Sequence, residues 1–141
     1  MELPAATAGY SGTPLARKLG IMSGCSVLCI DTPVEYRGLL EPMPSGVSFK
    51  NRAGAGIDLA HVFVTRREDL CRHLLSLRRK LRPETPVWVS WPKKSSRLPS
   101  TVTEDVIREV ALPIGYVDVK VCAVSDVWSG LKLVVRKELR C

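Results

Sequence analysis

The chain has 141 residues, a formal net charge of +7, 45% hydrophobic residues and 25% charged residues. A chain of this length buries roughly 68–70% of its unfolded surface, enough for one core without disulfides or metals. It contains no apolar run of membrane-spanning length, and Met1 to Ala6 lack the basic-then-apolar pattern of a secretory signal. We therefore expect a cytoplasmic protein with one domain over residues 13–141, preceded by a flexible arm over residues 1–12.

The number and spacing of the cysteines are typical of a protein in a reducing compartment. They are odd in number and form no C-x-x-C pair. We expect four of them to be small buried hydrophobic residues and Cys141 to be a terminal thiol.

The first half of the chain predicts two strands and two short helices. Thr13 to Gly20 reads as a short helix, with Thr13 as N-cap and Gly20 as the stop. Cys25–Ile30 is an almost continuously apolar strand. A short helix around 35–40, a short strand at 47–49 and a glycine-rich loop at 51–56 follow.

The middle of the chain carries the clearest helix signal. After the apolar strand Ile57–Val64, Thr65 and Glu68 form a capping box, and leucines recur at helical spacing until Pro83. Pro86–Trp91 is then a strand rich in aromatic and β-branched residues.

The last third predicts a loop, a helix and a strand pair. A polar loop over 92–100 leads to a helix capped by Thr101 or Thr103 and ended before Pro113. Strands at 116–124 and 131–136 then form a hairpin, with Trp128-Ser129-Gly130 in its loop. This order predicts a three-layer α/β fold whose mostly parallel sheet ends in an antiparallel strand pair, with helices on both faces.

Several blocks of the chain resemble an uncharacterised bacterial domain-of-unknown-function family (DUF3052). The resemblance covers nearly the whole chain, is weakest over 34–56, and implies a bacterial cytosolic protein without supplying a reaction. Its blocks are Gly9–Ala16, Trp91–Lys94, Leu98-Pro99, Thr103–Asp105, Val117–Val124 and Trp128–Val134.

A looser resemblance is to class I methyltransferases, which have a Rossmann-like fold. It rests on Asp58 at the start of a strand, the Leu81–Pro83 turn and the closing strand pair. The chain departs from that family after its first strand, where Asp31-Thr32-Pro33 replaces a glycine-rich turn. We therefore expect no cofactor, and S-adenosylmethionine in particular is disfavoured.

The glycine pair at 54–56 and the two histidines do not predict a catalytic or metal site. Gly54-Ala55-Gly56 precedes a strand, whereas a dinucleotide fingerprint follows one, so it predicts a loop. His61 and His73 have no partners at metal-ligand spacing, and we expect structural roles for both and no metal site.

The strongest site candidate follows the Pro86–Trp91 strand. Trp91, Lys93, Lys94 and Ser95 leave its carboxyl end, where open α/β sheets bind ligands, and could hold an anion beside a flat ring. The alternative is a solvated loop with Trp91 packed on the next helix.

Further candidates reach the same sheet edge from other strands: Asp31, Thr32, Thr65, Trp128 and Ser129. Asp31 could bind a ribose hydroxyl or act as a base. Thr65 is better explained as a helix cap, and Trp128-Ser129 as a turn that covers the sheet.

Three functions follow, and the first is preferred because no catalytic constellation is present. The first is a binding or regulatory module for a small anionic ligand or a partner protein, without catalysis. The second is a divergent methyltransferase-like transferase. The third is nucleic-acid binding through the basic helix 66–82 and Lys93-Lys94, which lacks any known recognition module. The sequence does not specify an oligomeric state.

Overall fold

A computed structural model describes residues 12–140. The predicted N-terminal arm, apart from Gly12, and Cys141 lie outside the described residues. Two 3-10 turns, Lys94–Ser96 and Lys137–Leu139, accompany the main elements. These elements are α1 Leu15–Leu19, β1 Ser26–Ile30, α2 Tyr36–Leu39, β2 Ser48–Lys50, β3 Leu59–Phe63, α3 Arg67–Lys80, β4 Val87–Pro92, α4 Glu104–Ile114, β5 Tyr116–Ala123 and β6 Trp128–Val135.

The strands form one sheet in the order β2-β1-β3-β4-β6-β5. The first four strands are parallel, and β6 runs antiparallel to both β4 and β5. The predicted fold class, a mostly parallel α/β sheet that ends in an antiparallel pair, is thereby confirmed.

Helices cover both faces of this sheet. Every position of β3 and β4 is buried, as expected for strands inside a parallel sheet. On one face α3 and α4 pack through residues such as Leu74 and Ile107, and on the other α1 and α2 pack through Leu19 and Tyr36. None of the helices within residues 12–140 is long and apolar enough to cross a membrane.

The connection from β2 to β3 is unusual because it contains no helix. It passes from one side of β1 to the other through the irregular segment 51–58, whereas crossovers between parallel strands typically use a helix and a dozen or more residues. The β1 end of the sheet is therefore less covered on the α3 face than the centre of the sheet.

The prediction that Trp128-Ser129-Gly130 forms a loop is wrong. These residues begin β6, where Trp128 pairs with Pro92, Ser129 with Trp91 and Gly130 with Ser90. A Cβ on Gly130 would lie 3.0 Å from Val124 and 3.3 Å from Trp88. The glycine therefore serves close packing within a strand rather than a turn.

Pro113 was expected to follow α4, but it lies inside the last turn of the helix. The helix ends instead at Gly115, whose φ of 114° requires a residue without a side chain. At the other end the prediction is confirmed: the Thr103 hydroxyl accepts a hydrogen bond from the Val106 N–H.

The predicted capping box at Thr65 is also wrong. The N-cap of α3 is Arg66, whose side chain makes no capping bond. The hydroxyl of Thr101, from the loop before α4, accepts a hydrogen bond from the Arg67 N–H at 2.8 Å. The Thr101 N–H in turn donates to the Thr65 carbonyl, so the start of α3 is capped by a distant segment.

This distant cap can be tested by two matched substitutions. Thr101→Ala removes the acceptor for the Arg67 N–H and should lower the free energy of unfolding by about 1 kcal/mol. Thr65→Ala leaves the backbone carbonyl that Thr101 uses and should cost clearly less. Urea unfolding of both variants measures the difference, and an equal or larger loss in Thr65→Ala would contradict the assignment.

A buried hydrogen-bonded chain crosses the core between α2 and β4. The Tyr36 hydroxyl lies 2.7 Å from His61 Nδ1, and His61 Nε2 lies 2.6 Å from the Ser90 hydroxyl. His61 and Ser90 have no exposed surface. A neutral imidazole has one donor and one acceptor, so it satisfies both contacts. Burial lowers the pKa of His61 to about 3, and its complete burial between two hydrogen-bond partners agrees with the expected structural role.

This chain predicts a specific loss of stability in acid. The pKa of His61 is lower in the folded state than the ordinary value of 6.5, so its contribution is complete above pH 6.5 and is lost as the pH falls towards 3. The loss should approach about 1.4 kcal/mol per pH unit. Urea unfolding between pH 7 and pH 4 measures it. His61→Gln, which does not titrate, should show a shallower pH profile, and identical slopes would refute the interpretation.

Candidate functional site

The sheet order places a topological switch point at the end of β1. The chain leaves β1 towards β2 on one side, and β3 then pairs on the other side. Ligands of open α/β sheets bind outside the carboxyl ends of the strands at such a point. The residues that follow β1 and β2 are therefore the first place to seek a site.

The turn after β1 has an unusual backbone. Asp31 adopts a left-handed conformation with φ 56°, which aspartate tolerates better than most residues. Thr32 and Pro33 follow without a regular element. The glycine turn expected of a methyltransferase is absent, but Asp31 supplies one positive φ at the place where a glycine would do so.

Substitutions at Asp31 test this strain directly. Asp31→Gly should be more stable than Asp31→Ala by about 1 kcal/mol, because only glycine adopts the left-handed region without steric cost. Asp31→Asn, which also tolerates this conformation, controls for the lost charge. Chemical denaturation of the three variants provides the comparison, and an alanine variant as stable as the glycine variant would exclude backbone strain at this turn.

A cleft of about 730 Å³ lies beside the carboxyl ends of β1 and β2; we call it the β2 cleft. Its polar lining comes from Thr32, Arg37, Lys50, Asn51 and Arg52. None of the described residues that line it is a carboxylate. Its volume falls in the range of small-molecule sites.

Three cations therefore dominate the electrostatics of the β2 cleft. The Arg37 guanidinium lies 4.4 Å from the centre of the Phe49 ring, which orients it and leaves its N–H groups available. Within residues 12–140, no carboxylate lies within ion-pairing distance of Arg37, Lys50 or Arg52. Such a lining favours an anion.

The other titratable groups of the β2 cleft are neutral at pH 7. Burial raises the pKa of the Cys29 thiol, with a smaller opposing effect from Arg37. Burial also raises the pKa of Tyr36 well above its ordinary value. Neither group is poised as a nucleophile or base, and no group of three metal-binding side chains occurs among the residues that the structure describes.

The candidates from the end of β4 lie at a different cleft. Trp91, Lys93 and Lys94 line a cavity of about 620 Å³ together with Glu104 and Arg108 of α4. Trp91 is only 9% exposed and belongs to the core on the α3 and α4 face, as the alternative interpretation of this loop expected. Ser95 is exposed in the following 3-10 turn.

The remaining candidates are divided between the two faces. Trp128 packs edge-on against Phe63, with ring centres 5.0 Å apart, on the face opposite Trp91. Ser129 pairs with Trp91 along the sheet. Of the sequence-predicted residues, only Thr32 lines the β2 cleft, so the candidates do not form one site.

The residues that sequence reasoning missed are Arg37, Phe49, Lys50, Asn51 and Arg52. They fall in the stretch 34–56, where the pattern was least regular. One signal was present: Lys50-Asn51-Arg52 directly follows the short strand predicted at 47–49, and so occupies the carboxyl end of a parallel strand.

The structure resembles solved methyltransferases. A SAM-dependent methyltransferase from Aquifex aeolicus aligns with a TM-score of 0.65 at 13% identity, over 86% of this chain and 88% of that one. A putative type 11 methyltransferase from Sulfolobus solfataricus aligns with a TM-score of 0.56 at 13% identity, over 87% of this chain and 90% of that one. The riboflavin-derivative dimethyltransferase RosA from Streptomyces davawensis aligns with a TM-score of 0.60 at 13% identity. The alignment covers 79% of this chain and 50% of RosA.

No protein-family model and no curated protein sequence matches the chain, so the resemblance to DUF3052 is unconfirmed. The looser resemblance, to methyltransferases of class I, is confirmed at the level of structure. At 13% identity these matches show the fold alone, which is a Rossmann-like, methyltransferase-like α/β fold.

Proposed function

We propose that this protein binds a small anionic ligand of the nucleotide class in the β2 cleft. The observation that carries the proposal is the set of three cations, Arg37, Lys50 and Arg52, that line this cleft without a carboxylate among its described residues. Anionic ligands gain charge-assisted hydrogen bonds from such groups. The exposed guanidinium of Arg37, which lies over the half-buried ring of Phe49, provides a flat surface on which a base can stack.

The position of the cations supports a phosphorylated ligand. In dinucleotide-binding sheets, an acidic residue about 20 residues beyond the glycine turn binds ribose hydroxyls, and a nearby arginine accommodates a phosphate. Here β1 ends at Ile30 and β2 ends at Lys50, with Arg52 close behind. Cations thus replace the acid at the place where it would contact a ribose.

The residues of the β2 cleft do not fit S-adenosylmethionine. That molecule carries a sulfonium and an ammonium group against one carboxylate, so its net charge is positive at pH 7. The three cations, which have no ion-pair partner among residues 12–140, repel it. The side chains of Thr32 and Pro33 line the cleft where a glycine turn would let the backbone approach a cofactor.

Calorimetric titration with AMP, adenosine and S-adenosylhomocysteine tests the proposal. AMP should bind and adenosine should not, because adenosine lacks the anionic group. Lys50→Ala should weaken AMP binding by about tenfold, the cost of one charge-assisted hydrogen bond. Lys94→Ala, which alters the cleft at the end of β4, is the matched control and should leave the affinity unchanged.

Two outcomes would contradict the proposal. One is the absence of AMP binding at millimolar concentration. The other is an equal loss of affinity in Lys50→Ala and Lys94→Ala, because a general charge effect rather than the β2 cleft would then explain binding.

A methyltransferase-like transferase is the second candidate, favoured by the structural likeness to SAM-dependent methyltransferases. It requires tight binding of the methyl donor or its demethylated product. In the same titration, S-adenosylhomocysteine binding more tightly than AMP would favour this candidate over the first. If neither S-adenosyl compound binds at millimolar concentration, the transferase candidate fails.

Ion pairs weaken the case for nucleic-acid binding through the helix 66–82. Four of its arginines form ion pairs with neighbouring carboxylates: Arg66 with Glu68, Arg67 with Glu109, Arg72 with Asp69 and Arg82 with Asp58. These pairs reduce the positive potential that phosphate contacts would need. The hypothesis stays a prediction that a salt-dependent gel shift with DNA or RNA would test.

A further inference from the structure

A second cleft lies on the opposite side of the β2–β3 crossover, between β1 and α3. Its volume is about 720 Å³, and we call it the α3 cleft. Leu28 and Ile30 of β1 form its apolar floor. It exists because the segment after β2 crosses the sheet without a helix, which leaves room beside α3.

The α3 cleft contains a buried polar atom without a partner. His73 Nε2 is buried and makes no hydrogen bond to any part of the chain that the structure describes. The carboxylate oxygen Oδ2 of Asp31 is 3.8 Å away, which is beyond hydrogen-bond length. Asp31 itself is 74% exposed and held by its left-handed backbone. A buried donor or acceptor without a hydrogen bond is unfavourable, so a ligand that supplies the bond would be favoured.

Two cations line the same cleft. Lys80 comes from the end of α3 and Arg52 from the crossover. Neither has an ion-pair partner among residues 12–140. The Ser76 hydroxyl also lines the cleft, one helical turn beyond His73. These donors come from different elements and face one space.

Burial is the main reason why the His73 imidazole favours its neutral form. Burial lowers its pKa below the ordinary 6.5, and Arg72 on the same helix lowers it further. Asp31 at the end of β1 and Asp69 on the same helix act in the opposite direction. Arg52 and Lys80, which line the same cleft, add positive charge. A bound anion would offset this positive charge and raise the pKa of His73.

We propose that the α3 cleft binds a phosphate group, with the His73 Nε2–H donating to one oxygen and Lys80 and Arg52 neutralising the charge. A phosphate offers several acceptor oxygens to donors that converge from separate elements. The proposal goes beyond the β2 cleft because it uses another face of the sheet. The phosphate can be free or carried by a small metabolite, and the chemistry that recognises it is the same.

Proton NMR titration of the histidine rings tests the proposal on the whole chain. The sequence has two histidines, and burial lowers the pKa of His61 to about 3, so His73→Gln identifies the His73 resonance by its loss from the spectrum. Inorganic phosphate should raise the pKa of His73 by at least about 0.5 relative to chloride at the same ionic strength. Equal pKa values in phosphate and chloride, together with no shift in AMP, would overturn the proposal.

Matched variants locate the effect. Lys80→Ala should reduce the difference between phosphate and chloride by half or more, whereas Arg79→Ala, one residue earlier and outside the cleft lining, should leave it unchanged. A similar loss in both variants would show a general charge effect and reject the site. Each variant is compared with itself in the two salts, so any change in its baseline pKa cancels.

The source of the phosphate is distinguished by AMP and adenosine. A shift with AMP but not with inorganic phosphate supports a phosphate carried by a metabolite, and a shift with both supports either source. A shift with adenosine as large as that with AMP contradicts recognition of phosphate. Lys50→Ala should not alter the response of His73 to inorganic phosphate, so failure at the β2 cleft and failure here are separable.

Discussion

The packing of Trp88 is the constraint on which both halves of the sheet depend. This fully buried residue lies in β4, between His61 of the parallel half and Lys132 of the antiparallel half. Its indole N–H donates to the Leu19 carbonyl at 2.9 Å, which fixes α1 to the sheet. Its ring also packs closely on Gly130, where a Cβ would lie only 3.3 Å from it. A single aromatic residue thus joins the parallel strands, the antiparallel pair and a covering helix.

The hydrogen-bonded chain from Ser90 through His61 to Tyr36 connects this centre to the β2 cleft. Tyr36 opens α2, and the next residue, Arg37, lines the cleft and stacks on Phe49. A buried polar chain of this kind is stable only when every member is satisfied. The neutral imidazole of His61 therefore holds α2 in place, and through α2 it orients a cation of the proposed site.

Charge on this protein is arranged in two ways. Arginines at the start of α3 are paired with carboxylates of the same or a neighbouring helix, and such exposed pairs contribute little to stability. The cations that line the two clefts beside β1 lack such partners among residues 12–140. Part of the positive charge behind the net value of +7 is therefore concentrated at these two clefts.

The sequence was most informative where burial alone determines the pattern. The strands at β3 and β4 could be predicted because both of their faces are covered, and α3 because its leucines follow one helical face. The cap of α3 could not be predicted, because Thr101 lies 34 residues from Arg67 in the chain. The β2 cleft escaped detection because it is built from a short strand and irregular backbone, whose conformation depends on tertiary contacts rather than on periodicity.

Because no helix connects β2 to β3, some residues that line the clefts lie outside the core that stabilises the fold. Asn51 and Arg52 line both clefts yet belong to neither core cluster. Surface loops tolerate substitutions and changes of length at small thermodynamic cost. Evolution or design can therefore substitute Asn51 and Arg52 to change the charge and shape of either cleft, while the sheet beneath them supplies the same scaffold.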